Sequence, residues 1–128
     1  MAESIGIESR AGYFDSAGII RDMVQSHIMQ VFALIAMEPP ASFEAGAIRD
    51  EKAKVLRSMH PFKRQELATR VIRGQYVRRS VGGETVNGYL EEPGVPAGST
   101  TDTFVAMKCL IDNWRWSGVP FYLRTGKC

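Results

Sequence analysis

The chain has 128 residues, of which 45% are hydrophobic and 23% are charged, and this balance is typical of one globular domain rather than of a disordered segment. Sixteen basic against 14 acidic residues leave a formal net charge of +2, too small an excess to indicate a nucleic-acid partner. The longest apolar run, residues 31–37, is far too short to span a membrane, and Cys109 and Cys128 show neither metal-site spacing nor a disulfide framework, so we expect a cytoplasmic protein.

The pattern at the start of the chain predicts a short strand at residues 3–7, followed after a polar connection by one long helix at residues 16–38. Asp15 or Ser16 is expected to cap this helix by accepting a hydrogen bond from an unpaired backbone N–H. Pro39 ends it, because proline cannot continue the helical hydrogen-bond ladder. This helix is the longest helical pattern in the sequence.

Helical spacing places a broad apolar side on this helix, formed by Ile20, Val24, Ile28, Val31 and Ile35. Asp22 and His27 lie elsewhere on its first turns, about 140° apart on an α-helix, so both reach one ligand lying across the helix without stacking on each other. A single histidine on such an edge is more often a packed residue than a catalyst, and a helical aspartate is most simply solvated or salt-bridged. Together, however, they favour a site, since histidine titrates near neutral pH and suits general-base chemistry.

Downstream, the sequence predicts a second helix at residues 47–59, a strand at residues 69–77 and a long glycine-rich loop at residues 78–101. Residues 103–111 are apolar on both sides of the pleat, which predicts a central strand that pairs antiparallel with residues 119–125. The fold class is therefore α+β: a long buried helix and a second helix packed on a partial antiparallel sheet.

Other signals in the sequence carry little chemistry. Arg124 and Lys127 could bind phosphate or sugar oxygens, but basic residues at a strand end are commonplace. The glycines at 82–83 and 94–98 fit neither a P-loop nor a dinucleotide fingerprint. The sequence contains no metal-ligand cluster and no arrangement typical of a serine or cysteine nucleophile.

Taken together, eight segments resemble glucose-6-phosphate dehydrogenase in that family's order and cover nearly the entire chain, which is far more specific than any single motif. They are residues 10–15 (RAGYFD), 18–27 (GIIRDMVQSH), 36–40 (AMEPP), 48–56 (IRDEKAKVL), 74–76 (GQY), 88–95 (GYLEEPGV), 99–104 (STTDTF) and 111–127 (IDNWRWSGVPFYLRTGK).

This resemblance implies that residues 1–128 form part of the family's C-terminal, substrate-binding domain, truncated relative to that domain and without the nucleotide-binding domain. The implied enzyme is an oxidoreductase that oxidises glucose 6-phosphate to 6-phosphogluconolactone, with hydride transfer to NADP, in the oxidative pentose phosphate pathway. The resemblance further implies a cytoplasmic homodimer for the full-length protein, with no nucleic-acid or membrane partner.

The resemblance also assigns roles to individual residues. His27 corresponds to the general base that takes the proton from the C1 hydroxyl. Asp22, Lys127 and Glu3 correspond to ligands of the sugar phosphate. Arg124 corresponds to a residue that in some members helps hold a second, structural NADP. No residue is implied as a metal ligand.

Two functions from different classes remain open at this point. Because the family's glycine fingerprint for NADP is absent, we expect the 128-residue chain to be inactive by itself even if it is part of a dehydrogenase. The alternative is a non-catalytic α+β binding or assembly module that retains the family's scaffold.

Overall fold

A computed structural model describes residue 7 and residues 10–127, apart from the side chain of Val81. Residues 11–36 are helical apart from a kink at Gly18: α1 (Ala11–Ile19), a π-helix (Ile20–Ile28) and α2 (Met29–Ala36) follow one another directly. After a connector come α3 (Ala45–Arg57), a 3-10 turn (Arg64–Glu66) and the short α4 (Leu67–Arg70). The helix α2 ends three residues before Pro39, in agreement with the predicted stop.

The main sheet has three antiparallel strands in the order β1 (Val71–Gly74), β4 (Phe104–Cys109) and β5 (Phe121–Gly126). The register between the last two strands runs from Phe104 opposite Gly126 to Cys109 opposite Phe121. A separate hairpin is formed by β2 (Arg79–Val81) and β3 (Glu84–Val86). The predicted α+β class, the central position of β4 and its antiparallel pairing with β5 are confirmed.

The helical segment packs on one face of the main sheet and divides the core into two clusters. The first lies under α1 and the π-helix and is built around Phe14, Ile19, Met23, Tyr89 and Val105. The second lies under α2 and α3 and is built around Phe32, Ala36, Val55, Cys109 and Ile111. Each fully buried large apolar side chain of this kind contributes about 1.5–3 kcal/mol to the free energy of folding.

The prediction of one uninterrupted α-helix at residues 16–38 is wrong in three respects. Helical structure begins earlier, at Ala11, and no side chain caps it, so neither Asp15 nor Ser16 is the N-cap. Gly18 interrupts it with φ 69° and ψ 167°. The following nine residues form a π-helix, whose hydrogen bonds join residues five apart rather than four apart.

The predicted apolar side of this helix is also only partly correct. Val24 and Ile28 are buried, but Val31 and Ile35 are 54% and 64% exposed, and Ile20 is exposed as well. The error follows from the π-helix, because its wider turn changes the angle between successive residues. A helical wheel drawn with α-helical spacing therefore places the later side chains on the wrong side. Phe32, Ala33 and Ala36 form the buried side of α2 instead.

Further along the chain, the strand predicted at residues 69–77 is limited to β1, because α4 occupies its first residues. The long loop predicted at residues 78–101 contains the β2–β3 hairpin and a 3-10 turn (Tyr89–Glu91). The strand predicted at residues 3–7 falls almost entirely outside the described residues. Across the described part of the chain, no helix combines the length and the apolar character that crossing a membrane requires.

Candidate substrate-binding site

The site begins at Gly18, where the helical segment changes direction. With φ 69° and ψ 167°, Gly18 occupies a backbone region that is essentially restricted to glycine. The chain re-enters helix at Ile19, whose N–H donates to the Asp102 carbonyl at 3.2 Å. The π-helix that follows carries Asp22 in its first turn and His27 in its last, and such π segments occur frequently at functional sites.

Lys127 reaches the same place from the sheet. Side chains alternate between the two faces of a strand, and on β5 Phe121 and Leu123 point to the core beneath the helices. The same alternation places Thr125 and Lys127 on that face, and both are buried. The Lys127 N–H donates to the Thr103 carbonyl at 3.0 Å, so the β4–β5 pairing continues one residue past the strand and fixes the lysine backbone.

Asp22 and Lys127 form a buried ion pair. Lys127 Nζ lies 3.2 Å from Asp22 Oδ2, and the two residues are only 4% and 9% exposed respectively. The contact is close enough for an ion pair, yet within the described residues Oδ2 accepts no hydrogen bond of acceptable geometry. A buried carboxylate oxygen without a hydrogen bond is costly, and the adjacent Lys127 ammonium compensates its charge.

An aromatic ring supports the lysine. Lys127 Nζ lies 5.7 Å from the centroid of the Phe14 ring, within the range of a cation–π contact. Phe14 is buried in α1 and also contacts Tyr89 edge to face, with the ring centroids 6.1 Å apart. The ammonium group therefore has a carboxylate and an aromatic face as its neighbours.

His27 is exposed and lies one π-helical turn after Asp22. The α-helical spacing predicted that the two side chains diverge by about 140°. The i to i+5 hydrogen-bond pattern widens the turn, so the angle between residues 22 and 27 is smaller than on an α-helix, although Asp22 is buried and His27 is exposed. Asp22 is thus buried with Lys127, whereas the His27 imidazole is accessible to solvent.

The structure places Arg124, one of the two other candidate residues, away from this arrangement. Arg124 is exposed and follows Leu123 on β5, so the strand alternation directs it to the sheet face opposite Lys127. It lies there near Arg70, Lys108 and Tyr122. Glu3 lies outside the described residues, and its position relative to Asp22 stays a prediction.

The described residues do not form a dinucleotide cradle. A phosphate-binding turn of that type joins a strand to the N-terminus of a helix through glycines. Six glycines have positive φ, and none of them occupies such a junction: Gly18, Gly82, Gly83, Gly94, Gly98 and Gly118. Nor does the described part of the chain bring three or more His, Cys, Asp or Glu residues together in a geometry suited to a metal ion.

Comparison with known proteins identifies the family to which this architecture corresponds. The family profile described as "Glucose-6-phosphate dehydrogenase, C-terminal domain" matches residues 1–128. The chain belongs to the glucose-6-phosphate dehydrogenase family. The resemblance that was recognised in the eight sequence segments is thereby confirmed.

Individual glucose-6-phosphate dehydrogenases match over almost all of this chain. The chain is 56% identical to glucose-6-phosphate 1-dehydrogenase of Zymomonas mobilis over 127 residues, or 99% of the chain. It is 55% identical to the enzyme of Aggregatibacter actinomycetemcomitans over 126 residues, or 98% of the chain. A solved glucose-6-phosphate dehydrogenase in complex with its substrate glucose-6-phosphate superposes with a TM-score of 0.83 at 44% identity, covering 98% of this chain and 25% of that one. The chain spans 26% of the length of the two curated relatives.

Within the glucose-6-phosphate dehydrogenase fold, sequence reasoning had named Asp22 and Lys127 separately as ligands but had not predicted that they contact each other. It also missed the support that Phe14 gives to Lys127. No local sequence pattern could have predicted these contacts, because Phe14 lies on α1 and Asp22 on the π-helix, whereas Lys127 follows β5 more than 100 residues later. Only the packing of the helices on the sheet brings them together.

Proposed function

We propose that this chain forms the substrate-binding part of a glucose-6-phosphate dehydrogenase, an oxidoreductase that converts glucose 6-phosphate to 6-phosphogluconolactone. The observation that carries the proposal is the buried Asp22–Lys127 pair, with the exposed His27 on the same π-helix as Asp22, in a chain that belongs to this family. The solved relative bound to glucose-6-phosphate supports the choice of substrate.

Asp22 and Lys127 bind and orient the sugar phosphate in this proposal. The Asp22 carboxylate accepts hydrogen bonds from sugar hydroxyls. The Lys127 ammonium donates to sugar or phosphate oxygens. Because both groups are held by rigid elements, the ring is fixed to the accuracy that proton and hydride transfer require.

His27 acts as the general base. Its imidazole accepts the proton of the C1 hydroxyl while the C1 hydrogen leaves with its electron pair, so that the ring carbon becomes the carbonyl carbon of the lactone. NADP, which the family uses as hydride acceptor, supplies the oxidising power when bound. The described residues form no glycine turn between a strand and a helix for that cofactor's phosphates, so the proposal assigns the binding of the hydride acceptor to another part of the assembled enzyme.

The remaining roles follow from family membership alone. Glu3 is proposed as a further substrate ligand, and Arg124 as a contact of a second, structural NADP on the outer face of the sheet. The assembled enzyme is proposed to be a cytoplasmic homodimer. Because no cradle for NADP is present in the described residues, the 128-residue chain is proposed to lack dehydrogenase activity by itself.

The test uses a chimeric enzyme, in which this chain replaces the matching 127 residues of the Zymomonas mobilis glucose-6-phosphate 1-dehydrogenase. In the chimeric enzyme, His27→Asn is expected to lower kcat by about 100- to 10,000-fold, the usual contribution of a positioned base. KM for glucose 6-phosphate should change by less than about threefold, since asparagine removes the base but little binding. Asp22→Asn is expected to raise KM by about tenfold or more, the loss of a charged hydrogen bond.

The second histidine provides the matched control. His60 lies near the end of α3, where Nδ1 is 2.9 Å from Asp112 Oδ2, and it takes no part in the site. His60→Asn should therefore keep kcat within about threefold, or roughly 0.7 kcal/mol of activation free energy. If His27→Asn behaves like His60→Asn, the assignment of His27 as the base is wrong.

A further inference from the structure

A hydrogen-bond network lies immediately next to the aromatic support of Lys127. The Asp15 carboxylate accepts hydrogen bonds from the Tyr89 hydroxyl, at 2.9 Å, and from the Ser99 hydroxyl. The Asp15 carbonyl accepts a further hydrogen bond from the Thr101 hydroxyl at 2.8 Å. Three side chains of the loop between β3 and β4 thus converge on one residue of α1.

The network connects to the substrate-binding pair through two adjacent rings. Asp15 follows Phe14 in the chain, so the hydrogen bonds at Asp15 also fix the backbone that carries Phe14. Tyr89 is completely buried, and its ring contacts Phe14 edge to face. Phe14 in turn lies beneath the Lys127 ammonium, which pairs with Asp22. The Phe14 side chain has no polar atom. Its position therefore depends on packing and on the hydrogen bonds made by its neighbours Asp15 and Tyr89.

We propose that Asp15 and Tyr89 are positioning residues for substrate binding, which act by holding Phe14 in place under the Lys127 ammonium. The proposal rests on the proposed function, because it takes the sugar phosphate as the ligand of Lys127 and Asp22. It goes beyond that function by assigning a role to two residues that do not contact the substrate.

The physical reason lies in the flexibility of lysine. A lysine side chain has many rotamers, and about 2 kcal/mol of conformational entropy opposes its confinement. Lys127 is confined by an ion pair on one side and an aromatic face on another, and a cation–π contact is sensitive to the position of the ring. If the Tyr89 hydroxyl is removed, the Tyr89 and Phe14 rings gain freedom, and the ammonium is less well placed for a phosphate or sugar oxygen.

The test is Tyr89→Phe in the chimeric enzyme, a change that removes one hydroxyl and keeps the ring. We expect KM for glucose 6-phosphate, and the dissociation constant measured by calorimetry, to rise about fivefold, which corresponds to about 1 kcal/mol. The value of kcat should stay within about twofold, because His27 lies outside this set of contacts. Asp15→Ala should have the same effect, and Asp15→Asn, which keeps an acceptor oxygen, should restore part of the affinity.

Tyr76→Phe is the matched control. Tyr76 also contacts Tyr89 edge to face, at 5.6 Å between centroids, and its hydroxyl donates to Glu92 rather than to Asp15. It should leave KM and the dissociation constant unchanged even if it lowers the melting temperature. A Tyr89→Phe variant with unchanged affinity, or a Tyr76→Phe variant weakened to the same degree, would overturn the proposal.

Failure of the inference can be told apart from failure of the proposed function. If His27→Asn abolishes turnover while Tyr89→Phe binds the substrate normally, the function holds and the positioning role is wrong. If His27→Asn retains turnover, the base assignment fails, and the calorimetric affinity of Tyr89→Phe still decides the positioning role.

Discussion

At the scale of single residues, Asp15 and Tyr89 illustrate how a protein sets the protonation states of a hydrogen-bonded pair. The Ser99 hydroxyl is the main cause that holds the pKa of Asp15 below its ordinary value of 3.8, with Tyr89 and Thr101 adding to it against the opposing effect of burial. Burial, followed by the neighbouring Asp15 carboxylate, raises the pKa of Tyr89 to about 12. The phenol is therefore a donor and the carboxylate an acceptor over a wide range of pH.

The lowered pKa of Asp15 predicts part of the acid sensitivity of the fold. Because the folded-state pKa lies below the unfolded value of 3.8, the stabilisation is fully present above that value and is lost as the pH falls through the folded-state pKa. When the pH is lowered from about 5 to about 3, the unfolding free energy measured with urea should therefore fall less for Asp15→Asn than for the unsubstituted chain. Ser99→Ala removes the main cause of the lowered pKa of Asp15, so its loss of unfolding free energy should be intermediate between those of the other two proteins. Equal losses in all three proteins would contradict this account.

At the scale of elements, the break at Gly18 and the π-helix are the features that distinguish this helical segment from an ordinary long helix. π-Helices are rare and occur frequently at functional sites. Here it carries Asp22 in its first turn and His27 in its last. The local departure from regular structure is thus tied to the arrangement of the proposed site.

Gly18→Ala tests this link. A Cβ at Gly18 would meet only Thr101 Cγ2, at 3.7 Å, so there is no steric clash, but φ 69° with ψ 167° strains any other residue by about 1–3 kcal/mol. We expect Gly18→Ala to lower the unfolding free energy of the chain by that amount and to raise KM in the chimeric enzyme, since relaxation of the strain would displace Asp22.

Gly12→Ala is the matched control for this substitution. Gly12 lies in regular helix of α1 and has nothing within 4 Å of an added Cβ, so alanine there should be neutral or stabilise by up to about 1 kcal/mol. Circular dichroism melting and the kinetics of the chimeric enzyme provide both readings. Equal behaviour of the two variants would show that the Gly18 break is not required for the geometry of the site.

At the scale of the whole molecule, several large apolar side chains are exposed on the described surface. Val31, Leu34 and Ile35 form an exposed apolar side of α2, and Ile72 and Tyr122 are exposed on the main sheet. In addition, β1 and β5 each pair on one side only among the described residues. Contiguous apolar surface and unpaired strand edges are sites of association.

The chain by itself is therefore predicted to self-associate. We expect sedimentation velocity to show a mass that increases with concentration in the micromolar range, because burial of the α2 side removes apolar area from water. The double substitution Val31→Lys and Ile35→Lys should shift the chain toward monomer without loss of helical signal, since both side chains are exposed. Leu90→Lys, at an exposed apolar residue in the loop after β3, is the control and should leave association unchanged.

Elements with a clear local period were predictable from the sequence. The β4–β5 pairing followed from two apolar runs and a short turn, and the second helix was predicted within two residues at each end of α3. Which side chains of residues 20–35 are buried could not be predicted from helical periodicity. A change of helical pitch at the π-helix rotates every later side chain around the helix axis. The break at Gly18 adds a change of direction before the π-helix, and glycine in a helical pattern does not by itself reveal it.

By itself, the sequence determined the α+β class, the order of the main elements and the family, because these depend on local periodicity and on residue identities that are read directly. It also named His27, Asp22 and Lys127 as candidates through the family resemblance. The tertiary structure alone decided that Lys127 pairs with Asp22 over Phe14, and that Asp15 and Tyr89 lie next to that support. Such contacts join distant parts of the chain, and they exist only when the strand register and the helix packing are both in place.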